Sequence, residues 1–229
     1  MTAHDLDLEA VDFLLNQHAQ IRAGLREVAG AHGPAKAAAF ADLRRLITVH
    51  ETAEQEVLHP RMRELVPGPP DAGARPARER ESSAAESSAP GSFGSGSFGS
   101  GSFGSGSSAP AGAASAAARL DVNSLLGQER HGTELLAELD RLDPASPEFD
   151  KRFTRLAVEI IAHADHEELE EFPVVRERLD LDERLRMGHA LRVAEAAAPR
   201  HPQPAATPAS VGAIVDRVRT ALRDVFTSH

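Results

Sequence analysis

The chain has 229 residues, with no cysteine, tryptophan or tyrosine, nine phenylalanines and a formal charge of −10. Without cysteine there are neither disulfides nor thiolate metal ligands. The acidic balance argues against a nucleic-acid partner, whose phosphates are neutralised by Lys and Arg, and against an anionic membrane surface.

A core drawn from Leu, Val, Ile, Ala and a few Phe favours an all-α fold. The opening residues, MTAHDLDLEAVDFLL, carry acids where a secretory signal carries bases. No apolar run approaches the roughly 20 residues of a membrane span. The expectation is a cytoplasmic protein that neither crosses nor coats a membrane.

Residues 8 to 29 repeat apolar positions at Leu8, Val11, Leu15, Ile21, Leu25 and Val28, the period of a helix with one buried face. Gly30, Gly33 and Pro34 end it, and a second helix runs from about Ala35 to Leu65, stopped by Pro67, Gly68, Pro69 and Pro70. So short a connection predicts antiparallel neighbours, which fill residues 1–66. Residues 67–119 collapse into Gly, Ser, Ala and Pro, with GSFGS at 91, 96 and 101. Such a segment buries too little apolar surface to offset its ordering entropy, and reads as a disordered insertion between helices 2 and 3.

Order is expected again near Leu120, in a third helix through Leu142 with Leu135, Leu139 and Leu142 on one face. DPASPEF then supplies a stop, a Ser cap and a proline at the first helical position. The fourth helix carries Phe149, Phe153, Leu156, Ile160 and Val174 in one stripe and completes the 120–180 segment. Two further helices, about 182–197 and 208–226, make a C-terminal tail over 181–229. The last has Thr207 as cap, Pro208 at its start, and Ile214, Val218, Leu222 and Val225 on one side. That stripe needs a cover, either the other helices or a second copy of the chain in a homodimer. The whole is expected to be an antiparallel up-down four-helix bundle with extra C-terminal helices.

Polar residues interrupt the apolar stripes at matching points. His18 lies in the first, His50 and Glu54 in the second, and His163 and Glu167 in the fourth, while His131 stands at the edge of the third. His18 and His50 are 32 residues apart, as are His131 and His163, and each second His is followed four positions on by Glu. The chain thus holds H-x31-H-x3-E twice. Turns midway, at Gly33 and near Ala145, bring each pair of histidines to similar height, and residues four apart share a helical face. Two such hairpins packed together place four His and two Glu around one pocket.

A lone buried His is commonly a hydrogen-bonded core residue, but a buried Glu needs a partner or a metal. Mixed imidazole and carboxylate suit iron, manganese or zinc. Six ligands are too many for one tetrahedral zinc, so two metals sharing bridging carboxylates are expected. The Glu-x-x-His pattern of ferritin-like di-iron proteins fits poorly, because only Glu56 with His59 offers it, facing away from the stripe. Glu51, Glu129, His59 and His166 read as surface groups or as groups that orient a ligand, Glu51 first among them. His4, His32, His189, His201 and His229 fall at ends and loops and receive no role.

His18, HETAE at 50–54, ERH at 129–131 and HADHEELEEFP at 163–173 resemble the hemerythrin HHE cation-binding family, over about residues 8–66 and 120–180. The resemblance implies a four-helix bundle around a non-haem centre of two iron ions, with metal ligands His18, His50, Glu54, His131, His163 and Glu167. Oxygen-carrying members have a second His one turn along the third helix, where Gly127 and Leu135 stand here. Their fourth-helix acid follows its His by five, which selects Glu168, although Glu168 falls off the stripe and Glu167 does not. The implied function is binding of O2, nitric oxide or peroxide for sensing, storage or stress response. The alternatives are a di-iron peroxidase or nitric oxide reductase on the same ligands, and a helical scaffold with vestigial ligands.

Overall fold

Local chemistry starts and stops each helix. The Glu9 carboxylate accepts the Val11 N–H at 3.2 Å and caps α1, Ala10–Gly30. Gly33, at φ 55°, adopts a left-handed backbone that a side chain disfavours, and opens α2, Gly33–Ala53. The rod continues through a π-helical turn, Glu54–Leu58, into α3, His59–Leu65. Next come α4, Val122–Leu139, and α5, Pro147–His166, which the Ser146 hydroxyl caps by accepting from Phe149 N–H at 3.2 Å. A second π-helical turn, Glu167–Glu171, leads into α6, Phe172–Arg178. Asp180 caps α7, Leu181–Ala197, and α8 spans Val211–Thr227.

This computed structural model describes residues 8–66, 122–198 and 210–227. Among them there are six helical rods and no strand. The Gly/Ser/Ala/Pro segment 67–119 and the Thr207–Pro208 start of the last helix lie outside the described residues.

The two π turns correct the expectation of unbroken second and fourth helices. Each is closed by a bond five residues back, His59 N–H to Glu54 O and Phe172 N–H to Glu167 O, and each stands just before a proline, Pro60 or Pro173. A proline inside a helix has no N–H to donate and crowds the carbonyl four residues back. Widening the preceding turn absorbs that defect while the rod continues. The widening also changes facing, because in an unbroken α-helix residues 54 and 59 lie about 140° apart around the axis. With one more residue in the turn, His59 comes round toward the side of Glu54, and it is fully buried.

The apolar residues form two clusters. One gathers Leu14, Ala53, Val57, Leu125 and Phe172, and the other Ile21, Ile47, Leu135, Leu156 and Ile160. Along α1 the chain passes from the first cluster at Leu14 through His18 to the second at Ile21. The α2–α3 rod passes the opposite way, from Ile47 through His50 and Glu54 to Val57. The α4 helix repeats the first direction, Leu125 to Leu135 by way of Glu129, and α5–α6 the second, Ile160 to Phe172 by way of His163 and Glu167. A single polar layer therefore lies between two apolar ones. The apolar side of α8, Ile214, Val218 and Leu222, is buried within this chain, where α8 packs against α2 and α7.

Where α7 crosses the start of α1, Gly188 lies so close that a Cβ there would stand 2.3 Å from the Leu8 carbonyl oxygen and 3.1 Å from Ala10 N. Both obstacles are backbone, so neither yields by changing rotamer. Gly188→Ala is expected to push α7 off α1 and lower stability by about 1–3 kcal/mol, read as a lower urea midpoint. An unchanged midpoint would mean that the two backbones do not meet there.

Candidate metal centre

The polar layer holds nine titratable side chains, each at most 5% exposed: His18, His50, His59, His163, Glu51, Glu54, Glu129, Glu167 and Glu171. Three histidines share one arrangement. His18 Nδ1 faces the Glu168 carboxylate at 2.8 Å, His50 Nδ1 faces Gln17 Oε1 at 3.1 Å, and His163 Nδ1 faces Gln128 Oε1 at 3.2 Å. An acceptor at Nδ1 holds a proton there, so that Nε2 is the nitrogen that could bind a metal once deprotonated, which is how a metal-binding imidazole is commonly oriented.

The three Nε2 atoms converge. His18 Nε2 lies 3.1 Å from His50 Nε2 and 3.1 Å from Glu167 Oε2. His50 Nε2 lies 3.2 Å from Glu54 Oε2, and His163 Nε2 lies 3.0 Å from Glu167 Oε1 and 3.8 Å from Glu51 Oε2. Donors bound to one cation at about 2.1 Å stand roughly 3.0–3.4 Å apart when adjacent. The separations of 3.0–3.2 Å fit that spacing, and that of Glu51 from His163, at 3.8 Å, is wider. Three overlapping ligand sets result, His18, His50, Glu54 and Glu167; Glu51, Glu54, Glu129 and His163; and His59, Glu129 and Glu167, each with donor atoms within 4.8 Å of one another.

The inward atoms have no other use. Both oxygens of Glu54 and of Glu167, Glu51 Oε2, Glu129 Oε1 and His163 Nε2 are buried without a hydrogen bond in acceptable geometry. An unsatisfied buried polar atom costs about 1–3 kcal/mol, and more when charged, and this layer is a set of buried His and Glu groups that could hold a metal ion.

His131 is not in this layer, which corrects the expected ligand set. Its ring is about half exposed, and Nε2 lies 3.2 Å from Glu159 and 3.1 Å from Arg155 Nη2. Glu129 takes the inward position of α4 instead. Residues two apart on a helix lie about 200° apart around the axis, so both cannot face in. Glu129 has the better interior partners, Gln55 Nε2 donating to Oε2 at 2.8 Å and His59, whose Nδ1 lies 3.2 Å from Oε1 as an ion-pair partner. Glu168, the alternative to Glu167, holds the outer nitrogen of His18 and accepts from Arg22 Nη1 at 2.6 Å.

Glu51, read as an orienting group, supplies an unpartnered oxygen to the layer. His59, placed on the outside by regular helical spacing, lies inside between two carboxylates, Glu129 at 3.2 Å and Glu171 at 3.7 Å from its two nitrogens. It lacks the outward tie of the other three and is placed as a counter-cation. Glu171 was missed altogether. The signal for both is the proline six residues past each inward Glu, Pro60 after Glu54 and Pro173 after Glu167, inside a stretch whose apolar pattern carries on.

Proximity sets the charges. Burial pushes Glu51 up to about 8 against the pull of His163, and Glu129 up to about 7 against His59 and the Gln55 hydrogen bond. Burial and repulsion from Glu167 hold Glu54 well above the usual carboxylate range, and burial also raises Glu171. For Glu167 burial acts upward too, but His163 and His18 overcome it and keep the group below that range. Burial would lower His163, yet Glu167 and Glu51 raise it to about 10, and Glu171 and Glu129 outweigh burial to raise His59. His50 is held well below its ordinary value by burial and by His18.

The raised groups act together on stability. His163 contributes fully below its unfolded value of 6.5 and loses that contribution as pH rises toward about 10. Glu51 and Glu129 keep protons in the folded chain that the unfolded chain has already lost, so stability falls as pH rises from 4.5, up to about 7 for Glu129 and about 8 for Glu51, leaving Glu51 and His163 to act above pH 7. The opposite influences, from His50 and Glu167, act below pH 6.5. Chelator-treated protein is therefore expected to melt at lower temperature as pH rises from about 7 to about 9. Metal-loaded protein should reverse the trend, because ligands bind metal deprotonated. Melts followed by circular dichroism at both pH values test the sign, and a chelated sample that gains stability with pH would overturn it.

No family model, no curated protein and no solved structure matches this chain.

Proposed function

We propose that the protein is a hemerythrin-like binding protein for two non-haem iron ions, in which Glu54 and Glu167 bridge the two positions. His18 and His50 complete one position, and Glu51, Glu129 and His163 the other. The observation that carries this reading is the convergence of three Nε2 atoms, their Nδ1 atoms tied outward, on carboxylates whose oxygens lack hydrogen bonds. Of the three ligand sets, the two four-residue ones share Glu54, and their separate histidines support two cations rather than one. Imidazole mixed with carboxylate favours iron or manganese over a single tetrahedral zinc. Charge balance agrees, since two divalent cations and an imidazolium at His59 neutralise the five buried carboxylates.

In this reading α1, α2–α3, α4 and α5–α6 are the members of an antiparallel four-helix bundle, and α7 and α8 cover one side. The alternating passage of the four rods between the two apolar clusters supports that topology.

Two ferrous ions at these positions would supply electrons and open coordination to O2, nitric oxide or peroxide. The chain supplies anionic ligands, and Coulomb attraction from five carboxylates favours the higher oxidation state of iron. That excess of carboxylate over imidazole favours sensing or turnover, as in a peroxidase or nitric oxide reductase, over reversible carriage. His131, turned outward, adds no neutral donor to offset it.

Elemental analysis of protein loaded anaerobically with ferrous iron is expected to give two irons per chain. Glu54→Ala and Glu167→Ala should each lower that number, and His131→Ala should leave it unchanged. A single zinc, or iron near zero after reconstitution, would defeat the reading. The ferrous protein is further expected to oxidise in air without forming a long-lived reversible adduct, and yet to bind nitric oxide. Following the near-ultraviolet and visible bands through an air-then-vacuum cycle checks this, and full return of the ferrous spectrum under vacuum would place the protein among the carriers.

A further inference from the structure

The nine buried groups are not equally enclosed. His163, at 5%, and Glu51, at 3%, are the most exposed of them, against 0% for His18, Glu54 and Glu167. Both line a cavity of about 280 Å³ that opens between α4 and α5. The buried atoms Glu51 Oε2 and His163 Nε2 have no hydrogen bond. The cavity's walls include Gly132 and Ile160, and its mouth is flanked by His131 and His166. On the other side of the centre the ring of Phe172 stacks on His18 at 5.4 Å and closes that approach. At about 30 Å³ per water, the space takes roughly nine water-sized groups. That admits a hydrated cation, azide or peroxide.

Gly132 and Ile160 are neighbours in the cavity lining, and a Cβ on Gly132 would stand 3.4 Å from Ile160 Cδ1. Alanine fits at ordinary contact distance, whereas a longer side chain would project into the passage. His131 guards the outer end, half exposed and held by Glu159 and Arg155.

We propose that metal ions and small anionic ligands reach the centre through this α4–α5 cavity, with Gly132 the residue that fixes its bore and His131 the residue at its mouth. Ligands then arrive at the position held by Glu51, Glu129 and His163, and the position held by His18 and His50 fills from within. His131 acts on the rate of filling and takes no part in the filled site. The proposal rests on the two-metal reading and makes a separate claim about the route.

The test follows cobalt(II) uptake by chelator-treated full-length protein through its visible bands, together with the final cobalt content and the rate of azide binding to the ferric protein. Gly132→Leu fills the passage, His131→Trp covers the mouth without touching the core, and Val158→Trp, 64% exposed on α5, serves as a control. The first two variants are expected to slow both rates by about tenfold or more, a barrier increase of about 1.4 kcal/mol, while reaching the wild-type cobalt content. Val158→Trp should match wild type. If Gly132→Leu does not fold, His131→Trp decides alone. Unchanged rates in the folded variants overturn the route. A lower final cobalt content in His131→Trp also overturns it, by making His131 a ligand. If the wild type itself takes up no metal, the two-metal reading fails and the route falls with it.

Discussion

The fold is organised around the burial of five carboxylates and four imidazoles in one layer between two apolar clusters. An isolated buried carboxylate is costly enough to take up a proton rather than remain charged. The raised values of Glu51, Glu54, Glu129 and Glu171 express that cost in the chain alone. Only a concentrated positive charge at the centre lets most of these groups ionise together. A cation that bound only the folded layer would stabilise it by mass action.

Outside the layer, a second ring of groups fixes the orientation of the first. Gln17, Gln128 and Glu168 hold outer imidazole nitrogens, Gln55 holds Glu129, and Arg22 anchors Glu168. These contacts cross between α1 and α2, α4 and α5, α1 and α5–α6, and α2–α3 and α4. The groups that orient the histidines therefore also tie the helices together. An error in one helix's rotation would break an orienting contact and a convergent one at once, which is a strong constraint on register.

The paired π turns give the two halves of the chain a common device with different outcomes. After Glu54 the widened turn brings His59 inward, and after Glu167 it places Glu171 inward and leaves Phe172 to stack on His18. The halves share H-x31-H-x3-E, yet one contributes a base and the other an acid and a ring. The resulting centre is asymmetric. One side is sealed by Phe172, and the other faces the cavity between α4 and α5.

The sequence by itself determined the helices, their caps at Ser146 and their break at Gly33, and the convergence of His18, His50, Glu54, His163 and Glu167, because periodicity and local hydrogen bonding act over a few residues. It also carried the inward facing of Glu167 with Glu168 off the stripe, since one position on a helix turns a side chain by about 100°. Tertiary structure alone decided the rotation of α4, which turns Glu129 in and His131 out. The apolar pattern of that helix tolerates either, and only Gln55 and His59, on another rod, distinguish them. The inward placement of His59 and Glu171 was likewise beyond regular spacing, because a π turn forms where a proline's missing donor and crowded ring meet packing that keeps the rod continuous, and that balance involves neighbouring helices.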